Sequence, residues 1–199
     1  EIFKKQALFH YQKQPIRPAF KEECRDPETH PFPTKSGKIE IFSEKVYRTE
    51  FKEFMPAIPR YVPPVEGAQD PLAEKYPLQL TGWHTKRRCH SIHDNNQAMH
   101  KIDPQMLWMN PVDAAARNLQ DGDLAEVFND RGRIRMPVRV TDRIMPGVTA
   151  ISQGAWYRPD KNGTDTAGSI NVLTSQHPTP YARGNGQHTN LVEVTRYGL

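Results

Sequence analysis

Asp121-Gly122-Asp123-Leu124-Ala125-Glu126-Val127-Phe128-Asn129-Asp130-Arg131-Gly132-Arg133-Ile134-Arg135-Met136-Pro137-Val138-Arg139-Val140 is the stretch that decides the fold. Apolar and polar residues alternate on both sides of Asn129-Asp130-Arg131-Gly132, the pattern of two strands joined by a tight reversal, with one wet face and one dry. Upstream, Asn110-Pro111-Val112-Asp113 opens a helix that Ala114-Ala115-Ala116-Arg117 continues. Asn caps it, Pro sits where its missing N–H costs nothing, and Asp faces the positive end of the dipole. Downstream, Met145-Pro146-Gly147 turns into a strand over Val148–Ile151, and Thr189 to Thr195 supplies the last one. Leu78–Thr81 reads as another, while Lys38–Phe42, whose alternation follows a turn at Lys35-Ser36-Gly37, reads as a single strand in the proline-rich part that precedes this domain. About six short strands with one or two helices predict a mainly β fold with minor α, a small barrel whose closure leaves no exposed edge.

Composition sets the frame around those strands. Of the 18 prolines in 199 residues, 11 fall within residues 1–77, whereas 10 of the 12 glycines follow residue 77. This density of proline excludes a helical bundle, and the shift places a boundary near Tyr76-Pro77. Residues 1–76 are read as a proline-rich extended segment from the end of a preceding domain, and residues 77–199 as the barrel. Pro56, Pro59, Pro63 and Pro64 stiffen the connection. No apolar run is long enough to span a membrane. Glu1-Ile2-Phe3-Lys4-Lys5 has neither a hydrophobic signal core nor an initiating methionine and reads as the inside of a longer polypeptide. The net charge is only +4, too small an excess to single out nucleic acid. Cys24 and Cys89 are the only cysteines, which rules out a disulfide framework and a four-cysteine metal site within this chain. There is no Gly-x-Ser-x-Gly elbow, phosphate-loop lysine motif or His-Glu-x-x-His run, so no catalytic residue and no metal ligand is assigned.

Two regions carry chemistry. In Thr81-Gly82-Trp83-His84-Thr85-Lys86-Arg87-Arg88-Cys89-His90-Ser91 a glycine at a strand end lets the backbone approach a ligand, and three adjacent cations follow. Amide donors, hydroxyls and Lys or Arg forks are what a diphosphate requires. Three other readings stay open for this stretch. One is a solvated basic loop; another is metal ligation by His84, His90, His93 and His100 with Cys89, at spacings that match no standard zinc pattern. The third is base stacking on Trp83. The second region runs from Gly154-Ala155-Trp156-Tyr157 through Asn171-Val172-Leu173-Thr174 to Gly184-Asn185-Gly186-Gln187-His188-Thr189-Asn190. Side-chain amides there offer a donor and an acceptor on one plane, suited to the edge of a heterocycle. The alternative is turn chemistry alone, and Asn162-Gly163 is read as a turn.

Taken in order, these segments resemble the C-terminal part of the molybdenum oxidoreductases that carry a bis(molybdopterin guanine dinucleotide) cofactor, and within them the catalytic subunits of the anaerobic dimethyl sulfoxide reductase branch. The similarity is carried by His30-Pro31-Phe32, Thr34 to Ile41, Tyr76 to Gly82 with His84, Lys86, Arg88, His90 and Ser91, Asn110 to Ala114, Phe128 to Gly132, Pro146-Gly147-Val148, Gly154 to Tyr157, Asn171 to Thr174 and Gly184-Asn185 with His188 to Val192. The resemblance implies a six-stranded, aspartate-decarboxylase-like double-psi β-barrel. It implies that Thr81, Gly82, Trp83, His84, Lys86, Arg88, His90, Ser91, Asn171, Asn185, His188 and Thr189 hold the cofactor, with Arg88 and His90 foremost. It further implies a chain that helps reduce S-oxides or N-oxides in anaerobic respiration, with the molybdenum ligand and an iron-sulfur cluster supplied by earlier parts of the catalytic subunit, so that this piece alone is catalytically silent. The implied partners are the rest of that subunit, an iron-sulfur electron-transfer subunit and a membrane-anchor subunit, at a periplasmic or membrane-associated location; no nucleic acid is implied. Two alternatives remain at this point. One is a related molybdoenzyme acting on another oxyanion or formate, and the other is a non-catalytic barrel adaptor for a protein or nucleotide partner.

Overall fold

The computed structural model describes residues 16, 18–186 and 188–198. The reading of Glu1 to Lys5, and Gln187 of the amide-rich region, lie outside them. The chain divides into two compact units, one ending at Arg60 and the other beginning at Tyr61.

In the first unit, α1 (Lys21–Arg25) and α2 (Glu44–Tyr47) are short, and Ser43 caps α2 by accepting from the Val46 amide at 3.3 Å. The turn before Lys38 is present, with Gly37 at φ +69° and its carbonyl accepting from the Phe32 amide at 2.9 Å. The strand expected over Lys38–Phe42 is not formed. Ile39 and Ile41 are 70% and 71% exposed, and the local bonds are Thr34 Oγ1 to the Lys38 carbonyl and the Ser36 amide to Glu40. Alternation alone cannot make a strand; a neighbouring backbone must receive the ladder, and among the described residues of this unit none does.

The second unit is a closed six-stranded barrel. Its strands are β1 (Leu78–Trp83), β2 (Leu107–Met109), β3 (Leu124–Asn129), β4 (Gly132–Val140), β5 (Val148–Ser152) and β6 (Asn190–Arg196), in the order β1-β5-β2-β4-β3-β6. β1 with β5 and β2 with β4 are parallel, and the other neighbours are antiparallel. The barrel strand that the sequence pattern did not locate is Leu107-Trp108-Met109. Three residues flanked by polar chain show no period, yet Leu107 and Met109 are fully buried between β4 and β5.

The hairpin follows the sequence pattern. Ile134, Met136 and Val138 of β4 and Ala125 and Val127 of β3 face the core with Leu78, Leu80, Leu107, Ile151, Val192 and Val194. Truncating one of the larger of these costs about 2–5 kcal/mol, because the cavity collapses only in part. On the wet face Arg133 and Arg135 both pair with Glu126, at 2.7 and 3.1 Å. Asn110 caps α4 (Pro111–Ala116), its Oδ1 accepting from the Val112 amide at 2.9 Å. An unforeseen helix, α3 (Gln97–Ile102), is capped in the same manner by Asn96.

The unit that begins at Tyr61 takes in residues 61–76 for a physical reason. Glu66 is buried and grips Arg131 of the hairpin turn through both oxygens, at 2.7 and 2.8 Å, while Oε2 also accepts from the Leu191 amide at 3.0 Å. Tyr76 is buried against Phe128, and its hydroxyl donates to Asp130 at 2.7 Å. Residues 61–76 are thus a strap on the barrel, with short apolar content but long-range polar anchors.

Candidate functional site: one end of the barrel

The parallel strands β1 and β5 finish at the same end of the barrel, where β6 begins. Gly82 marks the spot. A Cβ there would stand 3.3 Å from Gln153 Cγ and Ile170 Cδ1, so that both would have to give by a few tenths of an ångström, and 3.5 Å from His188 Cε1; glycine lets these groups close over the strand end without that shift. Asn171 follows Ile170 and lines a cleft of about 470 Å³ with Thr174, Ser175, His177, Arg183 and Asn185. Asn190, fully buried at the start of β6, braces the cleft from behind by accepting from the amide of Ser175, which lines it, at 2.9 Å. Sequence reasoning assigned Gly82, His188, Asn171 and Asn185 separately; the first two meet at the strand end, and the other two share the cleft. Thr189, half-buried, bonds the Gly186 carbonyl, and Thr81 pairs with Ala150 in the barrel wall.

The floor of the second region rests on Asp165. This fully buried carboxylate accepts from the amides of Arg158, Ala167, Gly168 and Ser169, at 2.8, 3.3, 2.8 and 2.7 Å, and so holds the turn that delivers Ile170 and Asn171. The expected turn at Asn162-Gly163 is present, with Gly163 at φ +83°.

The loop after β1 is organised differently from expectation. Trp83 packs on Trp108 at 5.1 Å between ring centroids; His84 and His90 are exposed, their rings edge to face at 4.9 Å. Lys86 and Ser91 are exposed, and the Ser91 carbonyl accepts from the Trp156 indole at 2.9 Å. Arg88 lies inside the loop. Its side chain is 6% exposed and paired with Asp94, 1% exposed, and it donates to Gln105 at 2.6 Å and to Ser152 Oγ at 2.9 Å. A guanidinium enclosed in this way is a structural ion pair, and the open cations of the triplet are Lys86 and Arg87. Among the described residues no three His, Cys, Asp or Glu gather as metal ligands, and Cys24 and Cys89 are exposed free thiols. Among the described residues, no hydrogen bond joins His84, Lys86 or His90 to the residues that line the cleft.

Residues 78–191 match the family model described as "Molydopterin dinucleotide binding domain". The chain belongs to this family. Dimethyl sulfoxide reductase DmsA of Haemophilus influenzae is 45% identical to this molybdopterin dinucleotide binding domain chain, over 98% of it and 25% of the relative. The DmsA of Escherichia coli K12 is 43% identical over the same shares. Acetylene hydratase from Pelobacter acetylenicus has the same fold at a TM-score of 0.65 and 18% identity, covering 86% of this chain and 25% of that one. The chain spans about a quarter of the length of the curated relatives it matches. The family, the mainly β barrel and a molybdopterin dinucleotide as the cofactor are thereby as the sequence resemblance implied. Among the described residues no helix is long and apolar enough to cross a membrane.

The residues present fit such a group. Gln153 Nε2 and Asn190 Nδ2 are buried donors without a partner, and both lie at the β1–β5 end beside Gly82 and the cleft wall; Trp83 Nε1 is a third at the same strand end. Buried unpartnered donors cost free energy that a ligand's acceptors offset. Sequence reasoning missed Gln153 and Arg183, since a glutamine after a strand and an arginine in a turn carry no periodic or spacing signal.

Proposed function

We propose that this chain is the cofactor-binding domain of a molybdenum reductase of the dimethyl sulfoxide reductase type, holding a bis(molybdopterin guanine dinucleotide) and serving the reduction of an S-oxide or N-oxide. The observation that carries the reading is the set of unpartnered buried donors, Gln153 Nε2 and Asn190 Nδ2, at a glycine-built strand end that adjoins a polar cleft. When bound, the cofactor supplies the metal at which an oxygen atom is transferred. The chain's own residues do the rest. The Gly82 backbone allows close approach, Gln153 and Asn190 donate to heterocycle or phosphate acceptors, and Asn171 and Asn185 face the same cleft with planar amides. His188 stands beside Gly82 and Thr189 beside Gly186, and Arg183 brings a positive charge to the cleft. Thr81, Trp83, His84, Lys86, His90 and Ser91 belong to the strand end and the loop that continues it, with Lys86 as an open cation for phosphate.

The chain's span of about a quarter of its relatives supports assignment to a larger subunit; an iron-sulfur electron-transfer subunit and a membrane-anchor subunit as further partners, and a periplasmic face as the site of action, are what the sequence resemblance implies. The deciding experiment is on the full-length native subunit purified anaerobically. Its molybdenum and its acid-released guanine nucleotide are measured together. About two guanine nucleotides per metal are expected for a bis-dinucleotide cofactor, and Asn171→Ala with Asn185→Ala should lower both in step. A full-length subunit with neither component would refute the reading.

A further inference from the structure

We propose that Arg88 and Asp94 are positioning residues: their buried ion pair fixes the loop after β1 and couples it to the turn that carries Asn171, so that both halves of the cofactor site are held in one register. This rests on the cofactor reading above. The geometry is a chain of contacts. Asp94 Oδ1 meets Arg88, and Oδ2 accepts from the Trp156 amide at 2.8 Å, while the Trp156 indole holds the Ser91 carbonyl. Arg88 Nη2 reaches across to Gln105 Oε1, and Gln105 Nε2 donates to the carbonyls of Ser152 at 2.7 Å and Gly168 at 3.0 Å. Gly168 is three residues before Asn171. One network therefore ties the loop to the end of β5, to the residues before β2 and to the second region.

Two glycines are spent on closing it. A side chain at Gly154 would lie 1.8 Å from the His90 carbonyl oxygen, and one at Gly168 would lie 2.7 Å from Gln105 Cγ, both at positive φ. Stability does not explain the arrangement. Two charges taken out of water cost about what their attraction returns, and an apolar pair of similar volume does as well or better. What an ion pair with a forked donor supplies, and an apolar pair does not, is one fixed geometry. Lys86 and Arg87, next to the pair and exposed, are then presented from a rigid base.

The test uses the full-length native subunit loaded with cofactor, comparing wild type with Asp94→Asn, Arg88→Lys, the apolar double variant Arg88→Met with Asp94→Leu, and Lys86→Ala. Release of guanine nucleotide on dialysis should be about tenfold faster or more in Asp94→Asn and in the apolar double variant, as for residues that orient direct ligands. Amide exchange in the cofactor-free form supplies a readout that general weakening would not move. Asp94→Asn should deprotect both residues 84–100 and residues 165–172. Arg88→Lys restores the charge opposite Asp94 but not the fork to Gln105, so it should rescue the first segment and leave the second exposed. Lys86→Ala should deprotect neither. The apolar double variant keeps the test decisive if a lone charge prevents folding: a stable barrel that releases nucleotide at the wild-type rate overturns the proposal. Wild-type release from Asp94→Asn does the same. A wild-type subunit with no nucleotide at all instead removes the cofactor reading, and this proposal with it.

Discussion

Replacing Glu66 with alanine measures how far residues 61–76 belong to the barrel. Glu66 is 7% exposed and Arg131 is 28% exposed, and the two are joined by parallel bonds of 2.7 and 2.8 Å. Removing the carboxylate leaves a mostly enclosed guanidinium with only the Leu173 carbonyl as partner, and it strips the buried Leu191 amide of its acceptor. Breaking a buried pair costs about 3–5 kcal/mol, reduced here because Arg131 reaches solvent and keeps its bonds to Leu173; the lost amide bond adds about 1 kcal/mol. The sum is about 3 kcal/mol. Glu66→Gln, which keeps a carbonyl oxygen but no charge, should cost about half as much. In urea unfolding followed by tryptophan fluorescence, a slope of about 1.5 kcal/mol per molar turns the alanine effect into a midpoint about 2 M lower. A cycle with Arg131→Met should return a coupling of about 1–3 kcal/mol. A midpoint within about 0.3 M of wild type, or no coupling, would show that the strap merely lies on the barrel and that the boundary belongs near residue 77.

Two further outcomes follow from the same structure. Gly154→Ala puts a carbon into the His90 carbonyl at a φ of +93°, so the loop must lift while the barrel persists. Trypsin should then cut after Lys86 and Arg87 much faster in the cofactor-free subunit, with circular dichroism unchanged, and wild-type cleavage rates would sink the argument. Asp130 is held below the ordinary carboxylate value of 3.8 by the Lys75 ammonium and then by the Tyr76 hydroxyl. A lowered folded pKa means that its stabilising contribution is present at neutral pH and is lost as pH falls through that value. Melting temperatures of wild type and Asp130→Asn, followed from about pH 7 down to about pH 2, should differ at neutrality and converge in acid; parallel curves would contradict the assignment.

The hairpin, the capped helix at Asn110 and the strands after Gly147 and before Trp83 were legible in the chain because each rests on local rules: alternation over a half-buried surface, a cap, or a turn glycine. The family resemblance was legible for a related reason, since ordered motifs survive as strings. Lys38–Phe42 and Leu107–Met109 show the limit. The first alternates but, among the described residues of its unit, finds no ladder partner; the second has no period but is enclosed by β4 and β5. Pairing is a long-range property, so the sequence by itself determined the hairpin and a small mainly β barrel, while the tertiary structure located the strand that closes it.

The site divides in the same manner. Glycines, amides and cations are visible as types, and they pointed to a polyanionic heterocyclic ligand at Gly82, Asn171, Asn185 and His188. Which cation meets solvent was not visible. Lys86, Arg87 and Arg88 are equivalent as letters, yet Arg88 turns inward because Asp94, Gln105 and Ser152 converge on it from three separate parts of the chain. Burial of a charge depends on partners brought together only by closing the barrel, and that is why composition and spacing determined the chemistry of the site while the fold alone decided which residues are free to perform it.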